Sequence, residues 1–259
     1  MELLKDHAAI KEMLQLLEEN DRKEQAAELA RLIAATDSIV QQYDALYAKL
    51  DEIELLVDDL PKSAHPIKTT ILQTIPRAER NATEAFRWLL TVQDFITSFA
   101  ETAVKDFMRE GVSALDKAVS ALNVRCFLKT MQKKITVSLD RVAESIHKVE
   151  AMGQELRTAG GHLKNAGRAV AGKEARQIDG GQEGKFQAAV LVPLRAVQSM
   201  LVNLNKTADT ALGAVDRLRG AAERGRRKRE KSSVRQRLEK KSPTLSAPAP
   251  VNKSREAER

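Results

Sequence analysis

Cysteine is almost missing from this chain: Cys126 is the only one in 259 residues, which excludes an intramolecular disulfide and any multi-thiolate metal site. Aromatic residues make up only 3%, so a core has to be assembled from Leu, Ile, Val and Ala, and helix-on-helix packing is the economical way to do that. No stretch reaches the ~18–20 consecutive apolar residues that cross a bilayer. The opening MELLKDHAAIKEML has acid where a secretory signal has a basic region followed by an apolar run. These absences predict a cytoplasmic, all-α chain with no membrane partner. Of the four histidines, His7 sits in an apolar stripe, and His147 and His162 lack a third ligand at useful spacing. No catalytic residue, metal ligand or cofactor-binding residue is singled out, and the expectation is a non-enzyme without a cofactor.

What the chain has instead is a polarity of charge. Residues 1–60 carry 6 basic and 15 acidic side chains, residues 61–220 carry 24 and 16, and residues 221–259 carry 13 and 5. An acidic head, a moderately basic body and a strongly basic tail suit an anionic partner or self-association.

It also has long runs of helical periodicity. Leu3, His7, Ile10, Leu14 and Leu17 define a first helix from about Glu2 to Glu19. Leu29, Leu32, Thr36, Ile39, Tyr43, Leu46, Leu50, Ile53, Val57 and Leu60 alternate steps of three and four without a miss, the signature of a coiled-coil seam. Residues 1–60 therefore read as an acidic helical hairpin or coiled coil, whose acidic flanks are a solvated face or an attraction to the basic body. Pro61, Pro66 and Pro76 mark 61–76 as a linker. Residues 77–157 form a long helical region whose phase slips near Val104–Phe107 and Asn123–Phe127, so it is one stuttering rod or several helices. Phe86, Trp88, Phe95, Phe99 and Phe107 alternate with aliphatic residues there and are assigned to the core, as is Cys126 between Leu122 and Leu128. A C-terminal helix over 185–222 repeats Val190, Leu194, Val197, Leu201, Leu204, Ala208, Ala211, Val215 and Leu218. The half-length helices are expected to fold back antiparallel on the ends of the central region. The fold class predicted is an elongated antiparallel helical bundle with a disordered basic tail over 223–259.

Residues 158–184 hold seven of the twelve glycines and read as a turn between antiparallel helices. Within them, Gly167–Lys173 (GRAVAGK) matches part of a phosphate-binding loop. The following Glu174 stands where a magnesium-binding hydroxyl is required, and no strand precedes the loop, so a nucleotide site is not expected. The tail offers more. Arg224, Arg226, Arg227, Lys228, Arg229, Lys231, Arg235 and Arg237 form a cluster of the kind that binds DNA or RNA phosphates by counterion release, without sequence preference. The alternative is a basic tail that serves solubility.

The blocks Glu155–Glu174 (ELRTAGGHLKNAGRAVAGKE) and Ile178–Pro193 (IDGGQEGKFQAAVLVP), with Gly111–Lys117 (GVSALDK), resemble an uncharacterised family of helical proteins encoded in conjugative and other mobile elements of gut Firmicutes. Lys231–Leu238 (KSSVRQRL) resembles a short basic segment that ends other proteins of such elements, without its usual proline before the serine. The resemblance implies a bacterial, cytoplasmic, mobile-element setting and carries over no catalytic role. The reading that results is a helical scaffold or adaptor, a homo-oligomer through its coiled-coil seams, with a tail that engages nucleic acid or a protein partner of the same element. The alternative is a nucleic-acid-binding accessory of DNA transfer or maintenance.

Overall fold

A computed structural model describes residues 3–59, 65–177 and 185–241, with backbone alone for 185–186, 229–230 and 232–241. After a 3-10 turn at Leu4–Asp6, the described residues form α1 (Ala8–Glu19), α2 (Lys23–Asp58), α3 (His65–Glu110), α4 (Val112–Ala121), α5 (Arg125–Val170) and α6 (Lys185–Lys241), and no strand. The all-α class predicted from the scarcity of aromatics and the 3–4 spacing is the fold observed.

Four helices close a ring. Tyr47 bonds Thr83 and Lys68 reaches Asp58, so α2 and α3 run antiparallel. Thr74 meets Ser145 and Lys134 meets Glu84, which sets α5 antiparallel to α3. Gln187 reaches the Val149 carbonyl and Gln132 bonds Asp209, setting α6 antiparallel to α5. Gln42 bonds Thr207 and Arg217 bonds Glu28, returning α6 to α2. The result is an up-down-up-down four-helix bundle. Helix α1 covers α2 and α3 at one end, and α4 bridges α3 and α6 at the same end. The central region is thus neither one rod nor flanked only at its ends: it is itself a hairpin, broken at Gly111 (φ 68°) and at Leu122–Val124.

Every described member of the α2 seam, Leu29 through Val57, is buried inside this single chain. The seam is therefore part of the bundle core of this chain. Tyr43 at its centre lies edge-on to Phe86, with ring centroids 5.4 Å apart. Buried Asp37 accepts the amides of Leu4 (2.9 Å) and Lys5 (3.1 Å), which fastens the first turn and explains why α1 starts at Ala8 and not near Glu2.

Several boundaries read from the sequence move. The proline-containing segment 61–76 is not a linker throughout, because α3 starts at His65 and includes Pro66 and Pro76. Pro66 occupies the first turn, where no amide donor is needed. Pro76 faces solvent, and Ile67, Ile71, Ile75, Ala78 and Ala82 stay buried across it, so core packing overrides the missing hydrogen bond. Residues 60–64, with Leu60 of the predicted seam, lie outside the described residues. The assignment of the aromatics to the core holds for Phe86, Phe99 and Phe107, which pack against it, but Trp88 and Phe95 are more than one-third exposed. Cys126 is exposed as well. It falls in the first turn of α5, after the break at 122–124 has reset the phase so that Val124, Leu128 and Met131 face inward.

The glycine-rich stretch is corrected most. Residues 158–170 are not a turn: α5 runs straight on to Val170, and the turn comes at Gly172 (φ 67°). Beyond Gly153, which lies against Gln187 of α6, α5 leaves the bundle as a projecting arm. Residues 173–177 fold back onto it. Asn165 clasps the backbone of Arg176 through its amide N–H (2.9 Å) and carbonyl (2.7 Å), and Arg168 Nε donates to the Glu174 carbonyl at 2.8 Å. Residues 178–184 lie outside the described residues. At the other end of α6 the helix does not stop near Ala222 but continues to Lys241, so the first half of the segment read as a disordered tail is helical. Residues 242–259 lie outside the described residues.

Candidate nucleic-acid interface

The end of the bundle that holds α1, α4 and the start of α2 is also where the basic run of α6 emerges. Its anchor is a polar knot. Arg22, just before α2, pairs with Asp116 of α4 in two parallel bonds, Nε to Oδ1 at 2.8 Å and Nη2 to Oδ2 at 3.1 Å, and Gln25 donates to the same carboxylate at 3.0 Å. Such a fork is the strong form of an ion pair. The Asp116 side chain is only 6% exposed, and its hydrogen bond raises the Arg22 pKa above its usual value.

Helix α6 crosses this knot at Gly225. A Cβ built there would stand 3.2 Å from Gln25 Nε2 and 3.5 Å from Asp116 Oδ1, so the glycine inside the run RGRRKR is what lets the helix backbone pass over the pair. Immediately before it Arg224 pairs with Glu24, and two turns before that Arg217 Nε bonds buried Glu28 Oε2 at 2.8 Å. Part of the acidic head thus neutralises the bundle side of α6. Arg217 is a functional neighbour that the sequence reading missed, and its seven-residue spacing from Arg224 was the available signal.

The predicted site residues accordingly divide. Arg224 is exposed but engaged with Glu24. Arg226 lies beside Ser113, Lys117 and Ser120 of α4, lining a hollow of about 400 Å³. Arg227, Lys228 and Lys231 are exposed, and Arg227 and Lys228 make no ion pair among the described residues. Arg229, Arg235 and Arg237 are placed on the helix backbone, and their side chains lie outside the described residues. Arg224, Lys228, Lys231 and Arg235 are spaced four, three and four apart and share one face of the helix. From Arg226 to Lys241 the helix carries nine basic and two acidic residues over ~24 Å.

The second phosphate-like motif has a different geometry. Gly167–Lys173 sits at the C-terminal end of α5, where the amides of Ala171, Gly172 and Lys173 donate to the carbonyls of Gly167, Ala169 and Arg168. Those donors point back into the helix, and the negative end of the helix dipole lies there. A cleft of about 630 Å³ beside it, lined by Arg157, Lys164, Arg168 and Arg176, is basic by side chains alone.

With both basic regions placed, comparison with known proteins gives one result. The chain belongs to the Family of unknown function (DUF6674), matched over residues 6–259. The family match takes in the bundle, the arm and the basic extension together. No curated protein and no solved structure matches the chain. Among the described residues no group of three His, Cys, Asp or Glu side chains could hold a metal ion. Helix α6 contains one window, within Gln187–Lys228, long and apolar enough by composition to span a membrane. Within it Val190, Leu191, Leu194, Val197, Leu201, Leu204 and Leu218 are buried in the bundle, whereas Val192 is exposed.

Proposed function

We propose that this protein is a non-enzymatic helical adaptor of a mobile genetic element, in which a four-helix bundle holds out a basic helix for nucleic-acid phosphates. The observation that supports this is the continuation of α6 as a basic helix past the Arg217–Glu28 and Arg224–Glu24 pairs. Arg217 and Arg224 are matched by Glu28 and Glu24, whereas beyond them Arg227 and Lys228 are exposed and make no ion pair among the described residues. Clustered cations on a preformed helix bind phosphates by releasing counterions, with affinity that falls steeply with salt. A role as an accessory of DNA transfer or maintenance, a cytoplasmic location and a protein partner from the same element belong to the same proposal.

The test is fluorescence anisotropy with a labelled DNA duplex and a single strand, comparing the full chain with a chain ending at Gly225. Full-length protein should bind both without strong preference and lose ~10²-fold or more in affinity between 50 and 200 mM salt if several phosphates are neutralised. The shortened chain should lose binding at either salt. Failure of the full chain to bind at low salt, or equal binding by the shortened one, would falsify the reading.

A further inference from the structure

The arm of α5 keeps a core pattern where there is no core. Leu128, Ile135, Val142 and Val149 follow one another every seven residues and are each at most 2% exposed in the bundle. The same series continues without a break as Leu156, Leu163 and Val170, which are 49%, 77% and 92% exposed. Between them, also at seven-residue spacing, stand Gly153, Gly160 and Gly167. Gly153 is explained by Gln187, but a Cβ at Gly160 or Gly167 would meet nothing within 4 Å, and neither glycine has a positive φ. Among the described residues nothing uses the missing side chains. Glycine in a helix face allows a second helix backbone to approach closely.

We infer that the arm pairs, antiparallel, with the arm of a second copy of this chain. Shape selects that occupant and that direction. In an antiparallel pair, large and small positions face each other, and one register seats Leu163 over Gly160 of the second copy and Leu156 over Gly167 of the second copy, each pairing repeated by the two-fold axis. A parallel pair would stack leucine on leucine and leave a void at every glycine layer. Antiparallel arms also point the two bundles away from each other. The seam is continuous with the face that α5 presents to α3 and α6 inside the bundle, whereas the α2 seam is buried in its own chain.

This deepens the adaptor reading and rests on it for purpose, since a dimer would carry two basic helices. The experiment is sedimentation equilibrium of the full chain up to ~100 µM, a range suited to interfaces below ~1,200 Å², at about 0.1 and 1 M NaCl, which shortens the screening length from ~10 to ~3 Å. The expected result is a reversible dimer that persists at 1 M NaCl, as apolar packing does, and weakens at least tenfold in both Leu163→Glu and Gly160→Leu. Thermal unfolding checks that both variants fold; Gly160→Leu has open space and gains helix propensity, so its melting should not fall. A wild-type chain that stays monomeric, a dimer indifferent to both substitutions, or one that dissolves in high salt overturns the inference. A monomer that still binds DNA removes the arm pairing alone, and a dimer that does not bind removes the basic-helix reading alone.

Discussion

At the scale of single residues, the bundle holds two polar groups whose energetics have opposite sign. The Tyr43 hydroxyl is buried with no hydrogen-bond partner among the described residues, and burial pushes its pKa far above the usual value. Its ring does the packing, against Tyr47 and Phe86. Removing an unsatisfied buried hydroxyl removes a desolvation cost, so Tyr43→Phe should leave stability unchanged or raise it by ~1 kcal/mol in urea unfolding. Asp116 is the reverse case. It satisfies Arg22 twice and Gln25 once, and its loss strands both under α6. Asp116→Ala should cost about 3 kcal/mol, while Asp116→Ala combined with Arg22→Met should cost clearly less than the two single changes added together. Strict additivity in that cycle would show that the pair is not coupled.

At the scale of elements, the periodic stripes were legible and the punctuation was not. The α2 seam and the α6 stripe read directly from 3–4 spacing, because a buried helix face needs only that the apolar residues return on one side. Gly, Pro and charge were misleading because their effect is set by neighbours in space. Pro76 was read as a boundary, yet its buried flanking isoleucines carry the helix through. The glycines of 158–170 were read as a turn, yet they lie in α5. In the candidate site, the basic cluster was visible, but its division into bundle-paired Arg217 and Arg224 and exposed Arg227 and Lys228 depends on Glu24 and Glu28, some 189 to 200 positions away in sequence. Gly225 had no meaning until Arg22 and Asp116 came to lie beneath it.

The helical glycines give an element-scale prediction with two signs. A Cβ at Gly153 would sit 2.1 Å from Gln187 Oε1, and Gln187 is 4% exposed and bonded to the Val149 and Glu150 carbonyls, so it cannot swing aside freely. Gly153→Ala should destabilise by ~1–2 kcal/mol, and Gln187→Ala in the same chain should recover part of that loss. At Gly160 the same substitution meets no atom, and the gain in helix propensity is ~1 kcal/mol. Because the arm lies outside the core, that gain should appear as helicity and protease resistance of residues 154–170 more than as a higher melting temperature. Equal effects at the two positions would contradict the placement of the bundle boundary at Gly153.

At the scale of the whole molecule, the ring is closed by the last helix to be made. Helix α6 has its largest interface with α2, the farthest from it in sequence of the other three bundle helices, so the bundle is incomplete until its C-terminal half returns. That return has a definable end. A chain stopping at Gly225 keeps Leu218, Ala221, Ala222 and the Arg217–Glu28 and Arg224–Glu24 pairs, and loses no buried apolar residue among those described, only the basic run with the contact of Arg226 to α4. Its melting temperature should match that of the full chain within a few degrees, since a ~1 kcal/mol change moves a domain of this size by only ~2–4 °C. A chain stopping at Lys206 loses buried Ala208, Ala211, Ala214, Val215, Leu218, Ala221 and Ala222 and uncovers Leu29, Leu32 and Ile33 of α2. With a total stability of ~5–15 kcal/mol to draw on, that chain should lose its cooperative unfolding transition in urea monitored by circular dichroism. If both truncations unfold cooperatively at the same urea concentration, the C-terminal half of α6 is not a wall of the bundle, and the basic helix would have to be remounted on some other part of the molecule.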